Sequence, residues 1–256
     1  MPILFSVLRQ VTMISSKLSN IAVCDDWVEE NPEQAFRWNG EVPAGQTLEV
    51  IGTNGTIRAR GVEGPEVRVL AVKRGDSLKM QKVSVQVEQT AEGVRIRAVY
   101  PKQFLLNRNN VELNFVVEVP VGVHMIARVA NGGINVKSLS GRTELFAGNG
   151  GINISDSGSV SAESVNGFIR ASIREPNWIK PLHFRTANGS INIELPQNTS
   201  TRILAKTNNG TVTANFPLSH MKKKNNNYLS GVLGTDDLRE LICECGNGSV
   251  HISRIG

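Results

Sequence analysis

The sequence predicts an all-β fold, specifically a β-solenoid of stacked Asn-Gly-x-Ile coils with a strand-rich N-terminal cap. A short motif recurs along the chain, apolar and polar residues alternate around it, and only 5% of the residues are aromatic, which suits a thin aliphatic core. The motif is an Asn-Gly pair followed by a short strand. Its asparagines are Asn54, Asn131, Asn149, Asn166, Asn188, Asn209 and Asn247.

Around each Asn-Gly pair the alternation has a period of two, which indicates a strand with one buried face. The third and fifth residues after the asparagine are apolar in every copy, as at Ile152 and Ile154, and the residue between them is polar, as at Asn153. The fourth residue before the asparagine is also apolar in every copy. Asn and Gly both tolerate positive φ, so we place the pair at a corner between two strands.

A β-sandwich of separate hairpins is the alternative, because Asn-Gly between alternating runs is also a hairpin signal. The spacing from Asn131 to Asn149 is 18 residues, and from Asn149 to Asn166 it is 17. Separate hairpins would not require one common register. Stacked coils require it, because each coil covers the apolar edge of its neighbour. The pattern therefore favours a solenoid with two or three short strands per coil.

The chain of 256 residues divides into a leader at 1–35 and a solenoid domain at 36–256. Within the domain, 36–119 is expected to hold the first coil, from Trp38 to Arg60, and the cap, and 120–256 the regular coils. Long alternating runs between 66 and 119 predict antiparallel strands that cap or widen the N-terminal end. Extra residues at 174–181 and 222–234 stretch two coils and predict protruding loops, which in repeat proteins often lie on the binding side.

The leader is a poor export signal, since its apolar run from Ile3 to Leu8 is short and is followed by Arg9. No segment of the sequence is expected to span a membrane. The run that ends at Cys24 loosely matches a lipoprotein cleavage box, and a short leader with a free cysteine, or a start at Met13, are alternatives. Cys243 and Cys245 fall on inward positions, which predicts buried apolar thiols and not a metal site or a disulfide.

The sequence contains no nucleophile elbow, phosphate loop or dinucleotide fingerprint, and its four histidines lack the spacing of metal ligands. No catalytic residue, metal or cofactor is therefore expected. Glu163 is expected near Arg185 as a surface ion pair, and Asp236-Asp237 in a solvated loop. The net charge of +5 permits anionic partners. Nucleic-acid binding is not expected, because acidic residues interrupt the basic clusters and stacking aromatics are few.

The candidate binding surface combines the outward-facing residues of successive coils with a lysine cluster in the longest insertion. Such a surface would suit a polar partner, either a glycan or another protein. Its residues are Asn135, Asn153, Arg170, Asn192, Thr213, Lys222, Lys223 and Lys224.

Several motifs in order resemble the bacterial putative-adhesin family, also called head GIN domains after a Gly-Ile-Asn triplet. The triplet occurs at 133–135 and 151–153, and the segments 45–50, 98–101, 117–120 and 229–234 are also similar to that family. The resemblance covers roughly 36–256. It implies a β-helix-like domain of unknown function, without catalytic residues to carry over, in proteins that are often exported or attached to the cell surface.

The first functional hypothesis is therefore a non-enzymatic binding or scaffold module, of adhesion type at the cell envelope. One alternative is a β-helix enzyme acting on polysaccharide, which would need carboxylates from distant coils to converge. The other is a cytosolic structural or regulatory interaction protein, which the weak export signal favours.

Overall fold

A computed structural model describes residues 35–102, 111–174, 176, 178–235 and 239–255. In this part of the chain the strands form two sheets, ten-stranded sheet A and 11-stranded sheet B, and the only helix is α1 (Ser77–Met80). The predicted all-β, solenoid-type fold is confirmed. The leader up to residue 34, with Cys24, lies outside the described residues.

Within the described residues, seven coils each place one strand in sheet B and the next strand in sheet A. The coils are coil 1 with β2 (Thr47–Asn54) and β3 (Ile57–Val62), coil 2 with β8 (His124–Asn131) and β9 (Ile134–Lys137), coil 3 with β10 (Thr143–Asn149) and β11 (Ile152–Ser157), coil 4 with β12 (Val160–Asn166) and β13 (Ile169–Ile173), coil 5 with β14 (Leu182–Asn188) and β15 (Ile191–Leu195), coil 6 with β16 (Thr201–Asn209) and β17 (Val212–Ala214), and coil 7 with β20 (Glu240–Asn247) and β21 (Val250–Arg254). In each coil the sheet B strand ends at the asparagine, and the sheet A strand begins three residues later.

The core lies between the two sheets and follows the predicted alternation. The residue three positions after the asparagine is buried in every coil, and Ile134, Ile152 and Ile169 are fully buried. Cys243 and Cys245 are free, buried thiols within the same core, as predicted. The apolar columns of adjacent coils lie directly opposite each other, so each coil buries the edge of the next.

Glycine is required at the corner because the coils approach closely there. Gly132 has φ 139°, and a Cβ on it would lie 1.8 Å from the backbone oxygen of Gly55 in the neighbouring coil. Any larger residue would separate the coils, which explains why the Asn-Gly pair recurs.

The N-terminal cap extends both sheets beyond coil 1. Its strands are β1 (Ala35–Glu41), β4 (Glu66–Arg74), β5 (Ser84–Thr90), β6 (Gly93–Val99) and β7 (Glu112–Pro120). β7 continues sheet A parallel to β3, and β6 continues sheet B parallel to β2. The outer strands β4, β1 and β5 are antiparallel to their inner neighbours. The predicted cap is present, but the strands that contact coil 1 are parallel to it.

The prediction that coil 1 begins at Trp38 is wrong. Trp38 lies in β1, the edge strand of sheet A, where it pairs with Val69 of β4. Two strands, β4 and β7, separate β1 from β3. The alternation in β1 resembles a coil strand, but its partner comes from the cap.

At the C-terminal end, the spatial order of the coils departs from the sequence order. β20 pairs with β14 on one side and with β16 on the other, and β21 likewise lies between β15 and β17. Coil 7, the last in sequence, therefore occupies the position between coils 5 and 6.

The first stretched coil agrees in part with the predicted protruding loop, since Ile179 is 94% exposed there, and the second does not. In the first, Trp178 is 2% exposed and belongs to the core. In the second, the extra residues form β18 (Ser219–Lys224) and β19 (Tyr228–Leu233), and β19 pairs antiparallel with β16. This hairpin extends sheet B beyond coil 6, so β18 becomes its edge strand.

Candidate binding surface

The corner asparagines form a continuous ladder of side-chain amides along the stack. Each link joins the Nδ2 of one asparagine to the Oδ1 of the asparagine in the adjacent coil. The donor-acceptor distances are 3.0 Å for Asn131 to Asn54, 2.8 Å for Asn149 to Asn131, Asn166 to Asn149, Asn188 to Asn166 and Asn247 to Asn188, and 2.7 Å for Asn209 to Asn247. The ladder fixes the register of the strands that follow it in sheet A.

The outward residues predicted from the sequence form a straight row across sheet A. Register pairs connect Asn135 to Asn153, Asn153 to Arg170, and Arg170 to Asn192. Asn153 donates a hydrogen bond from Nδ2 to Oδ1 of Asn135 at 2.9 Å. All of these side chains are at least partly exposed, so the row presents amide and guanidinium groups to solvent.

Thr213 continues the row, but it does not follow Asn192 directly. His251 of coil 7 lies between them and pairs in register with both. The Thr213 hydroxyl and Nδ1 of His251 are 2.8 Å apart and share a hydrogen bond. His251 therefore belongs to the surface, although the sequence order alone placed it beyond Thr213.

An exposed aromatic ring lies beside the row, and the sequence reasoning did not select it. Phe168 is 42% exposed and its ring lies against Gly151 of the adjacent coil, where a Cβ would come within 2.5 Å of the ring. The guanidinium carbon of Arg170 is 5.7 Å from the ring centre, which is a cation–π distance. The sequence did contain a signal for this exposed ring, because Phe168 stands at a position where the two adjacent coils have Gly151 and Ser190.

Lys222, Lys223 and Lys224 lie apart from this row. They are exposed residues of edge strand β18 in sheet B, whereas the row lies on sheet A. The expected lysine loop is thus a strand paired with β19. Lysines on an edge strand discourage pairing with a further strand, so their first role is to end sheet B.

Sheet B carries a second polar feature on its outer face, a depression of about 190 Å³. Its lining includes Arg128, Glu144, Phe146, Glu163, His183 and Arg185. Glu163 and Arg185 are register neighbours, but the predicted ion pair between them does not form within 4 Å.

Next to the depression, Glu244 accepts from Lys206 Nζ at 2.5 Å and lies 3.3 Å from His183 Nε2. The hydrogen bond from Lys206, followed by the charge of Lys206 and the hydrogen bond with His183, holds the pKa of Glu244 below its ordinary value. This face is therefore more highly charged than the amide row of sheet A.

Comparison with known proteins identifies the family. The family model Toastrack DUF4097 matches residues 15–239. The chain belongs to the Toastrack DUF4097 family. No curated protein sequence matches it significantly.

Solved structures that align with this Toastrack chain include two proteins described as putative adhesion proteins. A putative cell adhesion protein from Clostridium sporogenes ATCC 15579 has a TM-score of 0.51 and 14% identity, over 86% of this chain and 100% of that chain. At this identity the likeness concerns the fold. A putative adhesin from Bacteroides fragilis NCTC 9343 aligns over 86% of this chain and 97% of its own, at 11% identity, with a TM-score of 0.28, which is too low to support an argument.

The described part of this Toastrack domain holds no cluster of His, Cys, Asp or Glu suited to a metal ion. Burial raises the pKa of the Cys243 thiol well above its ordinary value, which keeps it protonated and unreactive. Among the described residues no helix is long and apolar enough to cross a membrane.

Proposed function

We propose that this protein is a non-enzymatic binding module of adhesion type at the cell envelope, and that the outer face of sheet A binds a carbohydrate-bearing surface. The observation that carries the proposal is the exposed Phe168 ring beside a row of amide and guanidinium groups. Binding sites commonly combine an aromatic surface with a few polar groups that fix the orientation of the ligand.

The chemistry of the row suits a sugar. Amide side chains such as Asn153 and Asn192 both donate and accept hydrogen bonds, as sugar hydroxyls do. The apolar face of a sugar ring can pack on the aromatic ring of Phe168. Neighbouring strands are about 4.8 Å apart, so the polar groups repeat at a constant interval, which suits a polymer of repeating polar units.

The fold comparison gives separate support, since a structural neighbour is described as a putative cell adhesion protein. The family and its neighbours favour a binding module over an enzyme. Adhesion at the cell envelope is a more specific role than a binding module, and it is the part of the proposal that the experiments below test.

Glycan binding is tested on an array with the wild-type protein and Phe168→Ala. We expect binding to some glycans by the wild type and a loss of about fivefold to tenfold in Phe168→Ala, since an aromatic contact in a site contributes about 1–1.5 kcal/mol. Val165→Ala is the matched control, because Val165 is also exposed, at 39%, but belongs to sheet B. A blank array at several salt concentrations, or equal loss in both variants, contradicts the proposal.

Polysaccharide cleavage is the alternative function, and one arrangement bears on it. Glu144 and Glu163 lie diagonally on adjacent strands and line the depression on sheet B. Glu144, however, is already ion-paired with Arg142 at 2.5 Å. Release of reducing ends from polysaccharides by the wild type, abolished in Glu163→Gln, would contradict the non-enzymatic proposal.

The location of the native protein separates the envelope proposal from an intracellular scaffold. Cell fractionation with sequencing of the native N-terminus makes this measurement. We expect the protein in the envelope or the medium with a processed N-terminus. An intact Met1 or Met13 in the cytosol would contradict the adhesion role and favour an intracellular partner, to be found by pull-down.

A further inference from the structure

The Asn-Gly corners are also reactive groups, because this dipeptide can rearrange through its own backbone. The amide nitrogen of the glycine attacks Cγ of the asparagine, the new N–C bond closes a succinimide, and the Cγ–Nδ2 bond breaks with release of ammonia. Water then opens the ring to aspartate or isoaspartate. Glycine favours the attack because it has no Cβ to obstruct it. The reaction needs a glycine nitrogen that is free to turn towards the side chain.

In most corners that nitrogen is held by a backbone hydrogen bond. The glycine N–H of each coil donates to the asparagine carbonyl of the next coil in the stack. These bonds are Gly55 to Asn131 at 3.0 Å, Gly132 to Asn149 at 2.8 Å, Gly150 to Asn166 at 2.9 Å, Gly167 to Asn188 at 2.8 Å, Gly189 to Asn247 at 2.9 Å and Gly248 to Asn209 at 2.8 Å. Attack at any of these corners first requires local opening of the stack.

The Asn209-Gly210 corner is different because coil 6 is the last coil in space. Among the described residues, the N–H of Gly210 has no acceptor, since no further coil offers an asparagine carbonyl. Asn209 donates from Nδ2 to Asn247, but its own Oδ1 receives no donor in the described part of the chain. Both Asn209 and Gly210 are exposed.

We propose that Asn209 is a site of selective deamidation in the folded protein, ahead of the other six Asn-Gly corners. The eighth Asn-Gly pair of the sequence, Asn39-Gly40, lies in edge strand β1 and not at a corner. The order of the coils determines this choice, because coil 6 lies beside the Asn247 corner and no coil lies beyond the Asn209 corner. The turn of the β18–β19 hairpin accepts from Thr207 N at 2.9 Å and from Val212 N at 2.7 Å on either side of this corner, but it does not bond the N–H of Gly210. Aspartate at 209 loses the Nδ2 donor to Asn247 and places a negative charge at the end of the ladder. Isoaspartate also lengthens the backbone by one carbon, which shifts Val212 out of register with Val250. The modification thus loosens coil 6 and leaves the inner coils intact.

Peptide mapping by mass spectrometry tests the proposal after incubation of the folded protein at mildly alkaline pH. Because one backbone hydrogen bond is worth about a fivefold change in an opening equilibrium, we expect Asn209 to convert at least about fivefold faster than the asparagine of each of the other six corners. In urea, where no coil is formed, the pairs should convert at similar rates. Asn209→Gln should remove the fast phase from the folded protein.

Asn54 at the opposite end of the ladder provides the internal control. Its side chain is also terminal in the ladder, but the N–H of Gly55 is bonded to Asn131. The proposal therefore expects slow conversion at Asn54. Equal rates at Asn54 and Asn209 would show that end position, and not the free glycine nitrogen, controls the reaction, and would overturn the proposal. A faster reaction at any inner corner would overturn it as well.

Discussion

From coil 2 to coil 5, each coil lies beside the coil that precedes it in sequence, whereas coil 7 lies between two coils that both precede it. The two regions use the same corner, the same ladder and the same buried columns. The comparison teaches that neighbouring coils in the stack do not have to be consecutive in sequence. Sequence proximity decides the order only where no intervening segment redirects the chain.

The hairpin of β18 and β19 is the segment that redirects the chain. β19 runs antiparallel to β16 and so returns the chain to the side where β16 began. β18, with its exposed lysines, lies beyond β19 and is the edge strand of sheet B. The remaining coil pairs with the free edges of β14 and β16 instead of extending the stack.

Removal of residues 240–256 is expected to have the largest effect. In a sequentially ordered solenoid, loss of the last coil exposes one edge, but here it separates coil 6 and the hairpin from the stack. It also deletes the buried Leu241, Val250 and Ile252, each worth about 1.5–3 kcal/mol. We expect loss of cooperative unfolding and aggregation, measured by thermal denaturation and size-exclusion chromatography. A chain that ends at Arg254 is the control, and a soluble, cooperative 1–239 protein would contradict the threaded order.

Ile152→Asp and Val212→Asp compare the inner stack with its end. Ile152 has a coil on each side, in register with Ile134 and Ile169. Val212 is in register with Val250 only, and on its other side a single hydrogen bond joins its N–H to Asn226 of the hairpin turn. A buried carboxylate in the inner coil should cost about 4 kcal/mol or more, and about half of that at the end, where the strand can fray. Urea unfolding measures both.

Asn153→Asp is the surface control for these substitutions. It loses the hydrogen bond to Asn135 and should cost about 1 kcal/mol. Equal destabilisation in Ile152→Asp and Asn153→Asp would show that the faces are assigned wrongly.

Substitutions in the asparagine ladder should show a smaller difference in stability between the inner stack and its end. Asn149 makes two side-chain hydrogen bonds in it, to Asn131 and from Asn166, whereas Asn209 makes one, to Asn247. Asn149→Ala should therefore destabilise the protein by about 1 kcal/mol, and Asn209→Ala by about half as much. Differential scanning calorimetry provides the comparison, and a larger effect at Asn209 would contradict it.

The smallest expected effect is the pH dependence of the stability that Glu244 contributes at the boundary of coils 5, 6 and 7. Its pKa is lowered in the folded state, chiefly by the hydrogen bond from Lys206, so the folded state favours the carboxylate. The contribution of Glu244 to the free energy of unfolding is fully present above the ordinary pKa of 4.5. It is lost as the pH falls through the lowered pKa of the folded state. The pair is partly exposed, so a few tenths of a kcal/mol are expected. Urea unfolding between neutral and acid pH should show this dependence weakened in Lys206→Met, and an unchanged profile would contradict the assignment.

Much of the local structure could be predicted, because it depends on residues close in sequence. The alternation around Ile152, Asn153 and Ile154 identified the buried and exposed faces, and the position of Cys243 on an inward column identified a buried thiol. The row from Asn135 to Asn192 followed from the same register. Phe168 was missed because its exposure depends on the absence of a side chain at Gly151 in another coil.

The larger errors concern segments outside the repeat. Trp38 alternates like a coil residue, but its partner Val69 comes from the cap. Trp178 lies in an insertion that composition alone describes as a loop, yet its large apolar ring is buried in the core. Glu163 and Arg185 were correctly placed on adjacent strands, but register neighbours do not have to form an ion pair.

The sequence by itself determined the unit of this protein: a corner of Asn and Gly, a strand on each side, and the face that each residue occupies. These properties follow from backbone sterics and from the period of two along a strand. Only the tertiary structure decided the order of the units, and with it the neighbour of Thr213 and the uncovered corner at Asn209. The physical reason is that coil 7 pairs in register with both coil 5 and coil 6, so the order of the coils depends on where the hairpin and the cap close the sheets.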